Sequence, residues 1–215
     1  MRFLIVSGGE ATDEFVENVI KRGGYDVILA ADSGMDFLYR TKILPDIIVG
    51  DFDSVDPEVL EFFREHEEID ICALNPVKDD TDTEFAIRES IRRGATEITI
   101  IGGTGTRLDH VLGNISLLGI GLEEDVRMEL LDANNRIRMT DHSVVLKKKQ
   151  QYGKYLSLLP YSEKVTGVTL RGVKNPLDNY TMGGFNSLGI SNEIVDEEAS
   201  IELKSGRLLV IESRD

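Results

Sequence analysis

The sequence predicts an α/β fold with a doubly wound, mostly parallel sheet, followed by a smaller all-β sandwich domain. In the first part of the chain, short apolar runs alternate with segments whose apolar residues recur at helical spacing, with Gly or Asp turns between them. Such alternation is typical of a parallel sheet covered by helices on both faces. From residue 126 the segments become short and strand-like, which favours an antiparallel sandwich. We place the domain boundary near residue 140 and expect domains at 1–140 and 141–215.

Local patterns predict the individual elements. The segment 13–22, for example, presents Phe15, Val16 and Val19 on one helical face, and Gly23 marks its end. In chain order we expect strands at 2–6, 27–31, 45–49, 69–74 and 97–101, and helices at 13–22, 35–39, 57–66, 82–93 and 108–118. The expected strands of the tail are 127–131, 137–140, 144–148, 155–159, 165–170, 200–204 and 207–211, with Ser205-Gly206 as a tight hairpin turn between the last two.

Composition narrows the class of protein. The 215 residues include 39 acidic and 24 basic side chains, a formal net charge of -15, which argues against a nucleic-acid partner. No apolar run approaches the roughly 18 residues that span a bilayer, and the first residues enter a strand rather than a signal peptide. We therefore expect a cytoplasmic protein. The single cysteine, Cys72, lies in an apolar run and excludes a disulfide framework.

Polar residues collect at the turns that follow the predicted strands. Ligands of doubly wound sheets bind at the carboxyl ends of the strands, so these turns are the candidate site. The first candidates are Asp51 and Asp53, which follow a buried strand. While the backbone stays extended, side chains two residues apart point to the same side, where these two carboxylates can share one cation. A polar loop before a helix is the alternative that the pair alone leaves open.

A glycine-rich turn at residues 102–107 lies between a strand and a helix and ends in Arg107. Its N–H groups and the helix dipole can hold a phosphate, and Arg107 adds a fork of donors. The turn does not end in the Gly-Lys-Ser or Gly-Lys-Thr of the usual nucleotide loop, so a flexible turn is the alternative. Asp109 and His110 open the next helix, where an acid is also favoured by the helix dipole.

The third group of polar residues is Lys78-Asp79-Asp80-Thr81-Asp82. Thr81 with Glu84 three residues later forms a helix capping box, and Asp82 in the first turn complements the helix dipole. Capping does not account for the first two residues of the group, so Asp79 or Asp82 is a candidate metal ligand. Carboxylate oxygens beside phosphate donors suit Mg²⁺ bound together with substrate phosphates. The site therefore indicates phosphoryl or nucleotidyl transfer.

These motifs resemble those of the thiamine pyrophosphokinase family, whose members transfer pyrophosphate from ATP to thiamine and release thiamine diphosphate and AMP. The matching stretches follow in family order: Ala31-Asp32-Ser33-Gly34, Pro45-Asp46 through Gly50-Asp51-Phe52-Asp53-Ser54, Asp79-Asp80-Thr81-Asp82, Gly105-Thr106-Arg107-Leu108-Asp109-His110 with Asn114, and Gly189-Ile190-Ser191-Asn192-Glu193. Any one of these motifs is modest, but five in the right order are specific.

The resemblance implies an ATP-dependent thiamine diphosphokinase that works as a homodimer. Its domain 1–140 would bind ATP and metal and carry the catalytic residues, and its domain 141–215 would bind thiamine and dimerise. Each active site would lie between the α/β domain of one subunit and the β domain of the other. Mg²⁺ is the implied cofactor, with ATP as co-substrate.

The resemblance also implies roles for individual residues. The catalytic residues would be Asp51, Asp53, Asp79 and Asp82, of which the first three hold the metal. Thiamine would contact Asp82, Ser191 and Asn192. The nucleotide would contact Gly8, Asp32, Ser33, Lys78, Gly103, Thr104, Gly105, Arg107, Asp109, His110 and Asn114. Some members stack thiamine on a tryptophan, which this chain lacks, so either Phe185 or Tyr180 replaces it or the platform is absent.

Three other functions use some of the same residues. A metal-dependent phosphatase would use Asp51 and Asp53 as nucleophile and acid, but that family places the pair after its first strand, whereas here it follows the third. Nucleotide-sugar transferases also carry an aspartate pair, but in longer chains. A non-catalytic nucleotide sensor would keep the glycine-rich turn without needing four converging carboxylates.

Overall fold

The computed structural model of the chain describes residues 1–53, 55–74 and 80–215. These residues form two compact units, Met1–Ala133 and Asn134–Asp215. The first unit is α/β and the second is an antiparallel β sandwich, so the predicted fold class is confirmed. The boundary predicted near residue 140 lies farther along the chain, at the end of the first strand of the second unit.

The first unit alternates strands and helices. Its elements are β1 Arg2–Val6, α1 Asp13–Gly23, β2 Val27–Ala31, α2 Met35–Thr41, β3 Ile47–Gly50, α3 Pro57–Arg64, β4 Asp70–Ala73, α4 Asp82–Arg92, β5 Glu97–Ile101, α5 Leu108–Glu123 and β6 Arg127–Leu131. The described strands pair in parallel in the order β4-β3-β2-β1-β5-β6. The winding direction reverses between β1 and β5, and the loops after these two strands therefore flank the switch point where such sheets bind ligands.

One predicted strand belongs to this sheet and not to the antiparallel tail. The segment 127–131, which we expected in the antiparallel tail, is β6 and pairs in parallel with β5. Helix α5 supplies the long crossover that a parallel pair requires. The strand's own residues contain no signal for its direction, because direction depends on the connection that precedes it.

Capping side chains explain where two of the helices begin. The carboxylate of Asp56 accepts the N–H of Glu58 at the start of α3. The hydroxyl of Thr81 accepts the N–H of Glu84 at 3.2 Å and caps α4, which is one half of the predicted capping box. The carboxylate of Glu84 accepts from Arg88 one turn later.

Helix α5 differs from its prediction in both length and burial. It continues past the predicted end at residue 118 to Glu123. Leu118 is buried, but Leu108 and Leu112 are 67% and 56% exposed. Apolar spacing identifies an amphipathic face but not what covers it. Across the described ranges, neither α5 nor any other helix is both long and apolar enough to cross a membrane.

The second unit consists of two antiparallel sheets. Its strands are β7 Asn135–Thr140, β8 Val144–Lys147, β9 Tyr155–Pro160, β10 Lys164–Arg171, β11 Leu177–Gly183, β12 Asn192–Glu193, β13 Glu198–Glu202 and β14 Leu208–Ser213. One sheet has the order β12-β9-β14-β7 and the other β11-β10-β13-β8. Leu156, Val168, Ile201 and Val210 belong to the apolar core that these strands bury.

Two details of the predicted tail are wrong. Ser205-Gly206 does not close a hairpin, because β13 pairs with β10 and β8 whereas β14 pairs with β7 and β9. The turn carries the chain from one sheet to the other, and a local turn signal does not distinguish these cases. Strand β11 was not predicted, since most of its side chains are exposed and it lacks a clear apolar alternation.

Candidate active site

Two glycine-rich loops meet at the switch point of the sheet. The N–H of Gly9, after β1, donates to the carbonyl oxygen of Gly102, after β5, at 2.7 Å, and the N–H of Glu10 donates to the carbonyl of Thr104 at 2.7 Å. Gly102 has a φ of +67°, and a Cβ atom there would lie 2.0 Å from the carbonyl oxygen of Ser7. Glycine is required at this position both for the left-handed conformation and for the close approach of the two loops.

These loops wall a cavity of about 400 Å³ in the first unit. Its wall consists mainly of backbone, hydroxyl groups and carboxylates. Ten of the predicted site residues line it: Gly8, Asp32, Ser33, Asp82, Gly103, Thr104, Gly105, Arg107, His110 and Asn114. The structure thus brings together residues from turns that lie far apart in the sequence, and their roles stay predictions.

The wall also contains residues that were not among the predicted site residues: Ser7, Gly9, Glu10, Ala31, Thr81, Thr83, Gly102 and Thr106. Most of them are neighbours of predicted residues in the same turns and could have been included on that ground. Thr83 is different, because it lies inside the first turn of α4 and its sequence context indicates only a helix.

Asp51 and Asp53 follow β3, next to the cavity but outside its described wall. A Cβ atom on Gly50, the last residue of β3, would lie 3.2 Å from the Cα atom of Asp32, which lines the cavity. The extended backbone that we assumed between the two aspartates is not present, because Phe52 has a φ of +60°. Instead, the Asp51 carboxylate accepts the N–H of Asp53 at 3.2 Å and closes a local turn.

Arg107 and Asp109 form an ion pair at the start of α5. The Arg107 guanidinium donates from Nε at 3.3 Å and from Nη2 at 2.6 Å to the two oxygens of Asp109. This pairing lowers the pKa of Asp109 to about 2. Asp109 is not in the described wall of the cavity, whereas Arg107 is. The geometry therefore gives Asp109 an orienting role towards Arg107, and its predicted contact with the nucleotide stays a prediction.

Asn114 also acts on the glycine loop. Its Nδ2 donates to the carbonyl oxygen of Gly103 at 2.7 Å. This bond ties the second turn of α5 to the loop after β5 and fixes the direction of one loop carbonyl. Asn114 was predicted to bind nucleotide, and in the structure its side chain supports the loop that lines the cavity.

The predicted thiamine residues Ser191 and Asn192 lie in the second unit. Ser191 is exposed, has a φ of +57° and donates its N–H to the hydroxyl of Ser157 at 3.0 Å. Asn192 is buried, and its side chain bonds both the N–H and the carbonyl of Asn175. This gives Asn192 a structural role, and its predicted contact with thiamine stays a prediction. The two candidate platform residues, Phe185 and Tyr180, are exposed.

The predicted metal site is described only in part. Lys78 and Asp79 lie outside the described residues. Among the residues that are described, no group of three or more His, Cys, Asp or Glu side chains is arranged to hold a metal ion. Asp51 and Asp53 still fit Mg²⁺ by donor chemistry, since this ion is often bound by one or two carboxylates together with water and substrate phosphates.

Comparisons with known proteins cover both units of the chain. Residues 22–130 match the family description "Thiamin pyrophosphokinase, catalytic domain", and residues 141–208 match "Thiamin pyrophosphokinase, vitamin B1 binding domain". A thiamine pyrophosphokinase of Bacillus subtilis is 33% identical over 190 residues, which are 87% of this chain and 87% of that protein.

Solved structures agree with the sequence matches. The crystal structure of the Bacillus subtilis thiamine pyrophosphokinase superposes with a TM-score of 0.89 at 28% identity and covers 100% of both chains. That of a thiamin pyrophosphokinase family protein from Enterococcus faecalis superposes with a TM-score of 0.87 at 32% identity and also covers 100% of both chains.

Together with these matches, the α/β unit with its loop-walled cavity and the following β sandwich identify a two-domain transferase. Within that class, the chain belongs to the thiamine pyrophosphokinase family. The family and enzyme class predicted from the motifs are therefore confirmed.

Proposed function

We propose that the protein transfers the pyrophosphoryl group of ATP to the hydroxyethyl group of thiamine, giving thiamine diphosphate and AMP. The observation that carries this proposal is the cavity at the switch point of the sheet, whose wall combines two glycine-rich loops with Arg107 and Asp82. The match of the second unit to a vitamin B1 binding domain supports the choice of acceptor.

In this proposal the cavity holds the nucleotide. Backbone N–H groups of glycine-rich loops beside a helix start bind phosphate well, and the loops after β1 and β5 provide such a setting. Arg107 lines the cavity and uses one edge of its guanidinium for Asp109, so its remaining N–H groups can bind an anionic phosphate. The ion pair therefore presents the donors in a defined orientation.

The transfer step follows from the proposed products. The thiamine hydroxyl oxygen forms a bond to the β-phosphorus, the bond from that phosphorus to the bridging oxygen of AMP breaks, and the hydroxyl proton passes to a base. Such reactions depend mainly on positioning and charge stabilisation. Asp51, Asp53 and Asp79 would hold Mg²⁺, which neutralises phosphate charge when bound. Asp82 lies in the cavity wall, where its carboxylate can orient the attacking hydroxyl.

We further propose that the protein works as a homodimer in which a partner copy contributes to thiamine binding. Exposed apolar side chains support this part of the proposal, because a partner copy would cover them. They are Leu108 and Leu112 on α5, and Phe185, Leu188 and Ile190 before β12. Sedimentation equilibrium of the purified chain would give twice the monomer mass of 24.0 kDa. A monomer at enzymatically active concentrations would contradict this part of the proposal.

The reaction is tested by incubating the protein with ATP, Mg²⁺ and thiamine and separating the nucleotides by chromatography. AMP should appear only when thiamine is present, in equal amount to thiamine diphosphate. ADP as the product would indicate transfer of the terminal phosphate instead. Phosphate release without thiamine would indicate a phosphatase, and nucleotide binding without turnover would indicate a sensor.

A further inference from the structure

A pair of hydroxyl groups joins the sheet to α4 at the cavity. Ser7 directly follows β1 and is only 4% exposed, and its Oγ lies 3.1 Å from Oγ1 of Thr83. The N–H of Ser7 donates to the carbonyl of Ile101 at 2.8 Å, which holds its backbone against β5. Thr83 lies in the first turn of α4 and is partly exposed to the cavity. Both residues are therefore fixed by secondary structure.

The available hydrogen-bond partners indicate which of the two hydroxyl groups is the donor. Within the described part of the chain, Thr83 Oγ1 is the one partner of the Ser7 hydroxyl. If Thr83 donated, the proton of Ser7, a side chain only 4% exposed, would have no acceptor among the described residues, which is unfavourable for a buried hydroxyl group. We therefore assign Ser7 as the donor and Thr83 as the acceptor of this bond. The proton of Thr83 is then free to point towards the cavity, because a hydroxyl group is both a donor and an acceptor.

The surroundings of Thr83 favour an anionic acceptor for that proton. The first turn of α4 carries the positive end of the helix dipole, and the glycine loops line the same cavity. Asp82 is the preceding residue and also lines the cavity, where a second anionic group is favoured when a cation accompanies it. Nucleotide phosphate complexed with a divalent cation meets both conditions.

We propose that Thr83 donates a hydrogen bond to a phosphate oxygen of the bound nucleotide and that Ser7 is a positioning residue that orients the Thr83 hydroxyl. This inference rests on the proposed function in taking the nucleotide to be ATP. It adds two residues to the site: Thr83, which would contact the nucleotide, and Ser7, which would act through Thr83.

The test is calorimetric titration of the 215-residue chain with ATP and Mg²⁺ in the absence of thiamine. Thr83→Val keeps the shape of the side chain but removes the hydroxyl, and should weaken ATP binding by about tenfold or more, the usual effect of losing a hydrogen bond to a charged group. Thr83→Ser should restore most of the affinity. Ser7→Ala should weaken binding less than Thr83→Val, because the Thr83 hydroxyl remains but is no longer oriented.

The double variant separates positioning from independent binding. Ser7→Ala combined with Thr83→Val should bind ATP no more weakly than Thr83→Val alone. Additive losses would show that Ser7 does not act through Thr83 and would overturn its role. ATP binding by Thr83→Val within twofold of wild type would overturn the phosphate contact. If Thr83→Val does not fold, the inference is decided by Ser7→Ala, and unchanged affinity in that variant overturns it.

Turnover distinguishes this inference from the proposed function. If the wild-type protein binds ATP but forms no AMP with thiamine, the proposed reaction is wrong and the calorimetric test still decides the role of Thr83. If AMP forms and Thr83→Val binds ATP normally, only the present inference is wrong. In the active enzyme, Thr83→Val should raise KM for ATP and leave KM for thiamine within about twofold, a split that a general loss of stability does not produce.

Discussion

The N–H of Gly9 donates to the carbonyl oxygen of Gly102 at 2.7 Å and joins the loop after β1 to the loop after β5. These strands are neighbours in the sheet, although residues 9 and 102 are far apart in the chain. The bond keeps both loops at the switch point, where they wall one cavity. The integrity of the candidate site therefore depends on a backbone contact that only small residues permit.

Replacing Gly102 by alanine tests this dependence. A Cβ atom at Gly102 would lie 2.0 Å from the carbonyl oxygen of Ser7, and backbone atoms cannot move aside easily. The matched control is Gly94→Ala, since Gly94 also has a positive φ, +89°, but nothing described lies within 4 Å of the added atom. We expect Gly102→Ala to lower the free energy of unfolding by about 1–3 kcal/mol more than Gly94→Ala, measured by urea denaturation. Equal losses of stability in the two variants would show that the close approach to Ser7 does not add to the cost of Gly102→Ala.

Asp51 can be changed without removing its turn. Asn at this position keeps an Oδ1 acceptor for the N–H of Asp53 but removes the negative charge. We expect Asp51→Asn to lower turnover at least tenfold with little change in Tm, because in the proposed site the charge serves the metal and the turn needs only the acceptor oxygen. Asp51→Ala should lose turnover and also about 1 kcal/mol of stability with the hydrogen bond. Near-normal turnover of Asp51→Asn would remove Asp51 from the metal site.

Arg107 should contribute through its geometry as well as its charge. Lysine keeps the charge but lacks the planar fork that pairs with Asp109 and that we propose binds phosphate. We expect Arg107→Lys to raise KM for ATP about tenfold by steady-state kinetics, the approximate effect of one lost charge-assisted hydrogen bond. The control is Arg171→Lys, which alters an exposed ion pair with Asp178 in the second unit. An unchanged KM in Arg107→Lys would show that charge alone suffices.

Glu89 should make the free energy of unfolding depend on pH in the acid range. It is buried in α4, and hydrogen bonds from Arg92 and then from Arg93 lower its pKa from 4.5 to about 2. Because its pKa is lowered by folding, its contribution is complete above pH 4.5 and is lost as the pH falls through about 2. We expect Glu89→Gln to reduce the free energy of unfolding at pH 7 by about 1–3 kcal/mol, less than the full shift implies, since Arg92 is largely exposed.

The measurement for Glu89 is chemical denaturation of wild type and variant between pH 7 and pH 2. The difference between the two proteins should shrink as the pH approaches 2. Glu17→Gln provides a control, because Glu17 forms an exposed pair with Lys21 and should change stability by only a few tenths of a kcal/mol. A difference between wild type and Glu89→Gln that is constant over this pH range would contradict the assigned cause.

Much of the fold follows from local patterns. The bounds of β1, β2 and β5 match their predictions, since a buried parallel strand is a continuous apolar run between turn residues. The start of α4 was predicted from Thr81 and Glu84, because a capping bond spans only one helical turn. The direction of β6 and the path through Ser205-Gly206 were missed, because they depend on which distant strands pair.

For the candidate site, the sequence by itself determined the residue types and their order: glycine-rich turns, aspartates after the strands, and Arg107 before α5. These are local features, and the parallel sheet brings such turns to one edge. Only the tertiary structure decided how they are used: Asp51 closes a turn around a left-handed Phe52, Asn114 supports the loop at Gly103, and Ser7 meets Thr83 at 3.1 Å. The physical reason is that hydrogen-bond partners and backbone conformation are set by neighbours in space, which sequence spacing does not specify.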